Sequence, residues 1–302
     1  MAEISIKTII QCGRRIIPEE IDHIKEIVAL FPQLSMRELA STICEHISWY
    51  TAAGNCKAQA CEKLLRKLYQ SGVVKLSEKQ RLLGRKRPLP NISLTEGTVP
   101  KSEIIGLLRE IGTVKLELVK NDEDRKLWNE YVERYHPMHY KQPFGYRLRY
   151  FISCKQGRLG CLLFAGAAKS LGKRDYFIGW TEQQRLINLA WIINNSRFLI
   201  FPWVKVKNPA SHVLSRIERR ISQDWEDHFN YRPVLMETFV DLKYKGSCYK
   251  AAGWKYLGMT TGEGLIRKGK TYTTNPKMIF VQPLEENFRH FLCSDQMRKG
   301  EI

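Results

Sequence analysis

Residues 194–216 read NNSRFLIFPWVKVKNPASHVLSR. A bulky apolar run with strand character stops at Asn208-Pro209, and a helical pattern begins. The first turn of a helix leaves backbone N–H groups unpaired at the positive end of its dipole, which makes such a junction an anion site. The alternative is a capped helix, with Asn208 or Ser211 as N-cap and Pro209 in the first turn. Lys205 and Lys207 lie on one face of the incoming strand by alternation, and His212 stands at the start of the helix as a neutral base or anion donor. Just upstream, Asn194, Asn195 and Arg197 are polar in apolar surroundings; they either bind phosphate or end the helix read in QQRLINLAWII.

Working outward, the pattern after residue 114 is that of a mixed sheet. TVKLELVK alternates as a strand and DEDRKLWNEYVERYHP follows as a helix, with Leu127, Trp128, Tyr131, Val132 and Tyr135 inward. LRYFISCKQGRLGCLLFAGAA forms two antiparallel strands, RDYFIGW and RFLIFPWVKV are further strand candidates, SHVLSRIERRISQDWEDHF is a helix and PVLMETFVD a strand. GSCYKAAGWKYLGMTTG reads as a short helix turning at Gly253 into a strand. An antiparallel start followed by a strand–helix–strand crossover predicts an α/β (α+β) sheet domain.

Residues 18–75 read as three helices. Pro18 opens the first, Ser35 and Glu38 form a capping box for the second, and Cys61, Leu64, Leu65 and Leu68 face inward on the third. The outer face of that third helix carries Lys57, Gln59, Lys63, Arg66 and Lys67. With VVKLSEKQ as a short strand or wing, the region predicts a small helical winged helix-turn-helix-like domain whose last helix contacts DNA. Between the two lies a Pro- and Gly-containing basic linker whose cluster Arg81, Arg85, Lys86 and Arg87 either tracks phosphates, the last three as candidate contacts, or forms a solvated hinge, and then a short helix over KSEIIGLLREIG. The expected organisation is therefore 1–80 helical domain, 81–113 linker and short helix, 114–285 sheet domain and 286–302 C-terminal tail.

Composition narrows the partners. The 302 residues contain 49 Lys and Arg against 31 Asp and Glu, a formal charge of +18. From residue 101 on there are 34 basic and 21 acidic residues, so most of the excess lies in the sheet domain. A field of this sign suits a polyanion, nucleic acid above all. Eight cysteines are scattered without a Cys-x-x-Cys pair, which argues for reduced thiols and against a metal site. With no signal-peptide pattern and no membrane-length apolar stretch, the expected location is the cytoplasm, without a membrane partner.

Two constellations carry possible chemistry. In ETFVD, alternation places Glu237, Phe239 and Asp241 on one strand face, and Asp175 or Asp224 can join them. Such carboxylates hold Mg²⁺ in nucleases, or pair with the many basic side chains. The second is Tyr249 with Gly253 and Trp254. The element order is similar to the GNAT acyltransferase fold, and the resemblance implies Tyr249 as a general acid and the 205–212 junction as the acyl-CoA pyrophosphate loop. VKVKNPASH, however, has no glycine for close backbone approach. The expectation is no cofactor.

Taken together, RDYFIGW, NNSRFLIFPWV, NPASHVLSRI, PVLMETFVD and GSCYKAAGWKYLG resemble the family of the Druantia anti-phage defence protein DruA over most of residues 114–265, and the helical region before it is similar as well. The resemblance implies a DNA-binding component of a bacterial anti-phage system acting with other defence proteins, including a helicase-like one. It supplies no catalytic residue. The alternative is an enzyme, either a metal-dependent nuclease acting on DNA through the carboxylates or a residual acyltransferase using Tyr249.

Overall fold

A computed structural model of the chain describes residues 8–81, 92–100, 102–143, 145–262 and 274–295. The chain divides into two compact units, the first built on residues up to 89 and the second on residues 90–296.

The first unit opens on a hairpin, β1 (Ile9–Gln11) and β2 (Arg14–Ile16), turned through Cys12 and Gly13, both at positive φ. Then come α1 (Pro18–Leu30), α2 (Met36–His46), α3 (Ala58–Gln70) and the single turn α4 (Glu78–Arg81). Pro18 sits in the first turn of α1, where its missing N–H costs nothing. Ser35 and Glu38 cap α2 reciprocally, each accepting the other's backbone N–H. Ile21, Ile24, Leu39, Ile43, Cys61, Leu64, Leu65 and Leu68 close one core. Two features depart from the expected winged helix-turn-helix. The α2–α3 connection, Ile47 to Lys57, is far longer than the usual turn of about 3–4 residues. The wing read at residues 73–80 is not a strand: Gln80 accepts the Ser77 N–H and donates to the Phe31 carbonyl, so this turn chemistry overrides two β-branched residues. The strands of this unit precede its helices.

In the second unit a short strand, β3 (Ile104–Gly106), stands where the sequence predicts a helix. The partner that fixes it, β8 (Val204–Val206), lies about a hundred residues on, and Gly106 at φ 141 breaks any helical continuation. Next come β4 (Lys115–Leu118), α5 (Asp122–Tyr135) capped by Asn121, and the hairpin of β5 (Arg147–Cys154) and β6 (Gly157–Gly166). RDYFIGW is not a strand either. It forms α6 (Gly172–Ile178), begun where Asp175 accepts the Leu171 N–H and ended by Gly179 at φ 84.

The helix α7 (Glu182–Asn188) stops earlier than its apolar period suggests, and β7 (Ile192–Ile200) takes up the rest. Asn194, Asn195 and Arg197 therefore lie within a strand and do not end a helix. After β8 the predicted single helix is two, α8 (Pro209–Glu218) and α9 (Ile221–Phe229), followed by β9 (Leu235–Asp241), α10 (Ser247–Ala251), β10 (Lys255–Met259), β11 (Lys277–Pro283) and α11 (Phe288–Leu292). Asn188 fastens the end of α11 by donating to the Leu292 and Ser294 carbonyls.

The main sheet runs β10-β11-β9-β7-β6-β5-β4, antiparallel except for the β7–β9 pair. This is the antiparallel start and strand–helix–strand crossover of a GNAT-like mixed α/β sheet. β7 and β9 pair only from Ile192–Asn194 to Leu235–Glu237. Side chains contributed by α5 and α6 reach one face of the sheet, at Arg149 and Glu237. Those of α9 and α10 reach the other, at Tyr150 and Asn195.

Candidate functional site

The β8–α8 junction presents the opening question in atoms. Asn208 occupies the left-handed region (φ 58) at the N-cap position of α8, and its side chain caps nothing. Ser211 is not the cap; its hydroxyl donates back to the Asn208 carbonyl at 3.3 Å. Pro209 fills the first helical position and has no N–H to offer. Lys205 and Lys207 are exposed and form no ion pair among the described residues. His212 is half-buried, and burial, with Arg216 and Arg219 nearby, holds its pKa below the ordinary histidine value. At the other end of β8, a cavity of about 310 Å³ is walled by Tyr131, Trp203 and Arg158, with Trp203 one residue before the strand.

The α3 surface is the second cationic face. Lys63 is exposed, Arg66 half-buried, and neither meets a carboxylate among the described residues. Lys67 donates to Gln11 of the hairpin at 2.6 Å. Gln59 is exposed, whereas Lys57 lies at the helix start, half-buried, with its pKa lowered by burial. Arg85, Lys86 and Arg87 lie outside the described residues.

The carboxylates form a closed structure. Glu237 and Asp175 meet across Arg174, which donates to Glu237 Oε2 and Asp175 Oδ1, both at 2.8 Å. Glu237 and Arg174 are fully buried. The other Glu237 oxygen accepts the Ala168 N–H at 2.7 Å. Burial works against the charge on Arg174, but the two carboxylates outweigh it and raise its pKa. Asp241, four residues along the same strand face, accepts the Lys243 N–H instead. Asp224 is on the opposite face of the sheet, bound by Arg220 and by the Tyr150 hydroxyl. No cluster of three His, Cys, Asp or Glu among the described residues is arranged to hold a metal. Sequence reasoning named both acids but missed Arg174; the signal was an arginine beside Asp175 in a chain rich in unpaired basic residues.

Tyr249 is on the face away from these acids, because Glu237 and Thr238 alternate across β9. Its hydroxyl donates to Asn195 Oδ1 at 2.8 Å, while Thr238 donates to the Asn195 carbonyl, so Asn195 ties α10 and β9 to β7 where the two strands part. Burial pushes the Tyr249 phenol above its ordinary range. Gly246 makes the approach possible: at φ 64, a Cβ there would lie 2.7 Å from the Phe280 ring that stacks on Tyr249. Acyl-CoA needs successive free N–H groups and close backbone approach at the junction. Ala210 and Ser211 keep free N–H groups, but Pro209 has none and the turn holds no glycine for close approach, so these residues do not fit that cofactor.

A family model described as Druantia protein DruA matches residues 67–275. No curated protein matches the chain. Among solved structures, it is similar to a Bacillus subtilis acetyltransferase in complex with CoA (8% identity, 57% of this chain and 99% of that one, TM-score 0.34). It is also similar to an N-acetyltransferase from Staphylococcus aureus Mu50 (14% identity, 55% and 79%, TM-score 0.31). A third likeness is to the aminoglycoside acetyltransferase AAC(6′)-Ib in complex with coenzyme A and kanamycin (13% identity, 57% and 95%, TM-score 0.35). With scores this low, it is the strand order itself that carries the reading of the fold.

Proposed function

The chain belongs to the family of the Druantia protein DruA, and from that premise we propose that it is a DNA-binding component of an anti-phage defence system, acting with other defence proteins, a helicase-like one among them. The observation that supports the binding role is the supply of uncompensated cations: Lys63 and Arg66 on α3, and Lys205 and Lys207 before α8, lack carboxylate partners among the described residues. In a chain of +18 these are groups whose charge is free for phosphates. Lys205 and Lys207 precede in sequence the N–H groups of Ala210 and Ser211 that the start of α8 leaves free, and Trp203 lines the nearby cavity with an aromatic surface of the kind that unpaired bases stack on. The domain reading that goes with this assigns the helical unit and the sheet unit a DNA contact each.

Fluorescence anisotropy with duplex and single-stranded DNA at several salt concentrations tests it. Affinity should fall steeply with salt, and Lys63→Glu/Arg66→Glu/Lys67→Glu should remove most duplex binding. Lys205→Ala/Lys207→Ala should weaken binding several-fold and lower the salt slope by about 2, with thermal stability nearly unchanged. Unaltered affinity in both variants would refute the assignment of these two faces.

A further inference from the structure

A second arginine site lies on the Arg174 face of the sheet, and it lacks what the first one has. Arg149 of β5 and Arg197 of β7 stand opposite the same residue: Arg149 pairs with Leu163 of β6, and Leu163 with Arg197. Direct cross-strand partners share a face, so both guanidinium groups rise on the α5 side. Each residue is only 8% exposed. The segment after α5 closes over them. The Tyr140 hydroxyl accepts from Arg149 at 2.9 Å, and the His139 carbonyl accepts from Arg197 Nε at 3.1 Å. His139 is held at φ 48. The Ser196 carbonyl takes a third bond, and the Trp128 ring lies 5.4 Å from the Arg149 guanidinium.

Every one of these partners is neutral. Neither arginine forms an ion pair among the described residues. The charges beside them are of the same sign: Arg147 and Arg125 beside Arg149, and Lys277 together with Arg197 around His136. Glu133, the acid bound to the covering segment, is taken by the Tyr140 N–H and by His139. Two polar atoms of this face are buried without a partner, Arg149 Nε and Asn194 Oδ1. Asn194 is placed there by the Arg147–Ala165–Asn194 cross-strand row. Buried guanidinium groups of one sign are costly unless a counter-charge joins them.

We propose that Arg149 and Arg197 form an oxyanion site for a phosphate monoester, carried either by a free nucleotide or by the end of a nucleic-acid strand. Two guanidinium forks match the charge and the oxygen acceptors of a terminal phosphate. At 8% exposure they lie too deep for the flank of a duplex, whereas a terminal phosphate is slim enough to pass the exposed Pro137–His139 turn. The site does not depend on the DNA contacts at α3 or β8, since a free nucleotide satisfies it.

The full-length chain is titrated with AMP and with adenosine, and with a short 3′-labelled single strand ending in a 5′-phosphate or a 5′-hydroxyl. At least one phosphorylated ligand should bind about tenfold more tightly than its phosphate-free control, and AMP, where it binds, should raise the melting temperature. Preference in the AMP arm alone identifies a nucleotide; preference in the strand arm identifies a strand end. Arg149→Gln/Arg197→Gln should lose the preference with little change in melting temperature, because it removes charges that have no ion-pair partner. Arg197→Lys keeps the charge and loses the fork, and should retain the fold with a several-fold weaker preference. Lys205→Ala/Lys207→Ala should lower strand affinity for both ends equally, which separates this site from the DNA contacts proposed above. No preference for phosphate in either arm, or an undiminished one in both arginine variants, overturns the proposal.

Discussion

Two arginine sites share one face of the central sheet and treat a buried cation in opposite ways. Arg174 sits between Glu237 and Asp175, with the second Glu237 oxygen closed by a backbone N–H. Arg149 and Arg197 are almost as deeply buried and receive only a phenol, two carbonyls and an aromatic ring. The difference separates architecture from opportunity. A closed charge cluster joins α6 to β9 and has nothing left to bind, which is why the acids that look like metal ligands in the sequence serve the fold. An open cluster carries an unspent charge that a ligand can complete.

The largest test of this contrast is stability. Arg174→Met leaves Glu237 buried with no cation of its own, Asp175 keeping only Arg185 at 3.8 Å, and should cost about 3–5 kcal/mol in urea unfolding at neutral pH. Arg197→Gln removes a charge with no partner and should change stability by less than about 1 kcal/mol, in either direction. Equal, large losses at both positions would dissolve the distinction.

A second test uses pH. His136, which follows α5, is surrounded by Arg197 from β7, Lys277 from β11 and His139 from its own segment. Burial first, and then its neighbours, Arg197 foremost, lower its pKa to about 4. A histidine depressed on folding contributes stability that is fully present above its unfolded pKa, near 6.5, and is lost as pH falls through about 4. His136→Asn should remove roughly 2 kcal/mol of the stability difference between pH 7 and pH 4. Occupancy of the arginine site by phosphate should raise the His136 pKa, a shift that NMR can follow.

How much of this was legible follows from how far apart the deciding residues lie. The Ser35–Glu38 capping box, the stripe of α5 and the alternation of β9 are short-range patterns, and the structure keeps them. The helix expected at 101–112 and the strand expected at 174–180 failed because their determinants are distant. β3 is fixed by β8, and α6 is fixed by Arg174 reaching Glu237, 63 residues away. The arginine site was half visible. Arg197 stood out as polar beside an apolar strand, and Arg147 and Arg149 alternate with Leu148 and Tyr150, which places both on one face of any strand there. Nothing local joins Arg149 to Arg197; the shared register with Leu163 does.

The smallest test concerns the mirror image of the open arginine site, a carboxyl group withdrawn from water without an ion pair. Glu218 ends α8, and its Oε1 accepts the Trp254 indole N–H at 2.6 Å. Burial raises its pKa to about 6, against the opposing pull of that bond and of Arg219. A carboxyl raised on folding stabilises the protein fully below its unfolded pKa, near 4.5, and loses that contribution as pH rises through about 6. The group is only half-buried, so solvent screening limits the effect to less than about 1 kcal/mol. Glu218→Gln keeps an oxygen for Trp254 and cannot ionise. Its stability should match the parent near pH 4 and exceed it modestly at pH 7.5, in paired urea titrations. A gap of the same size at both pH values would mean that the Trp254 bond, and not the buried charge, sets the cost at this position.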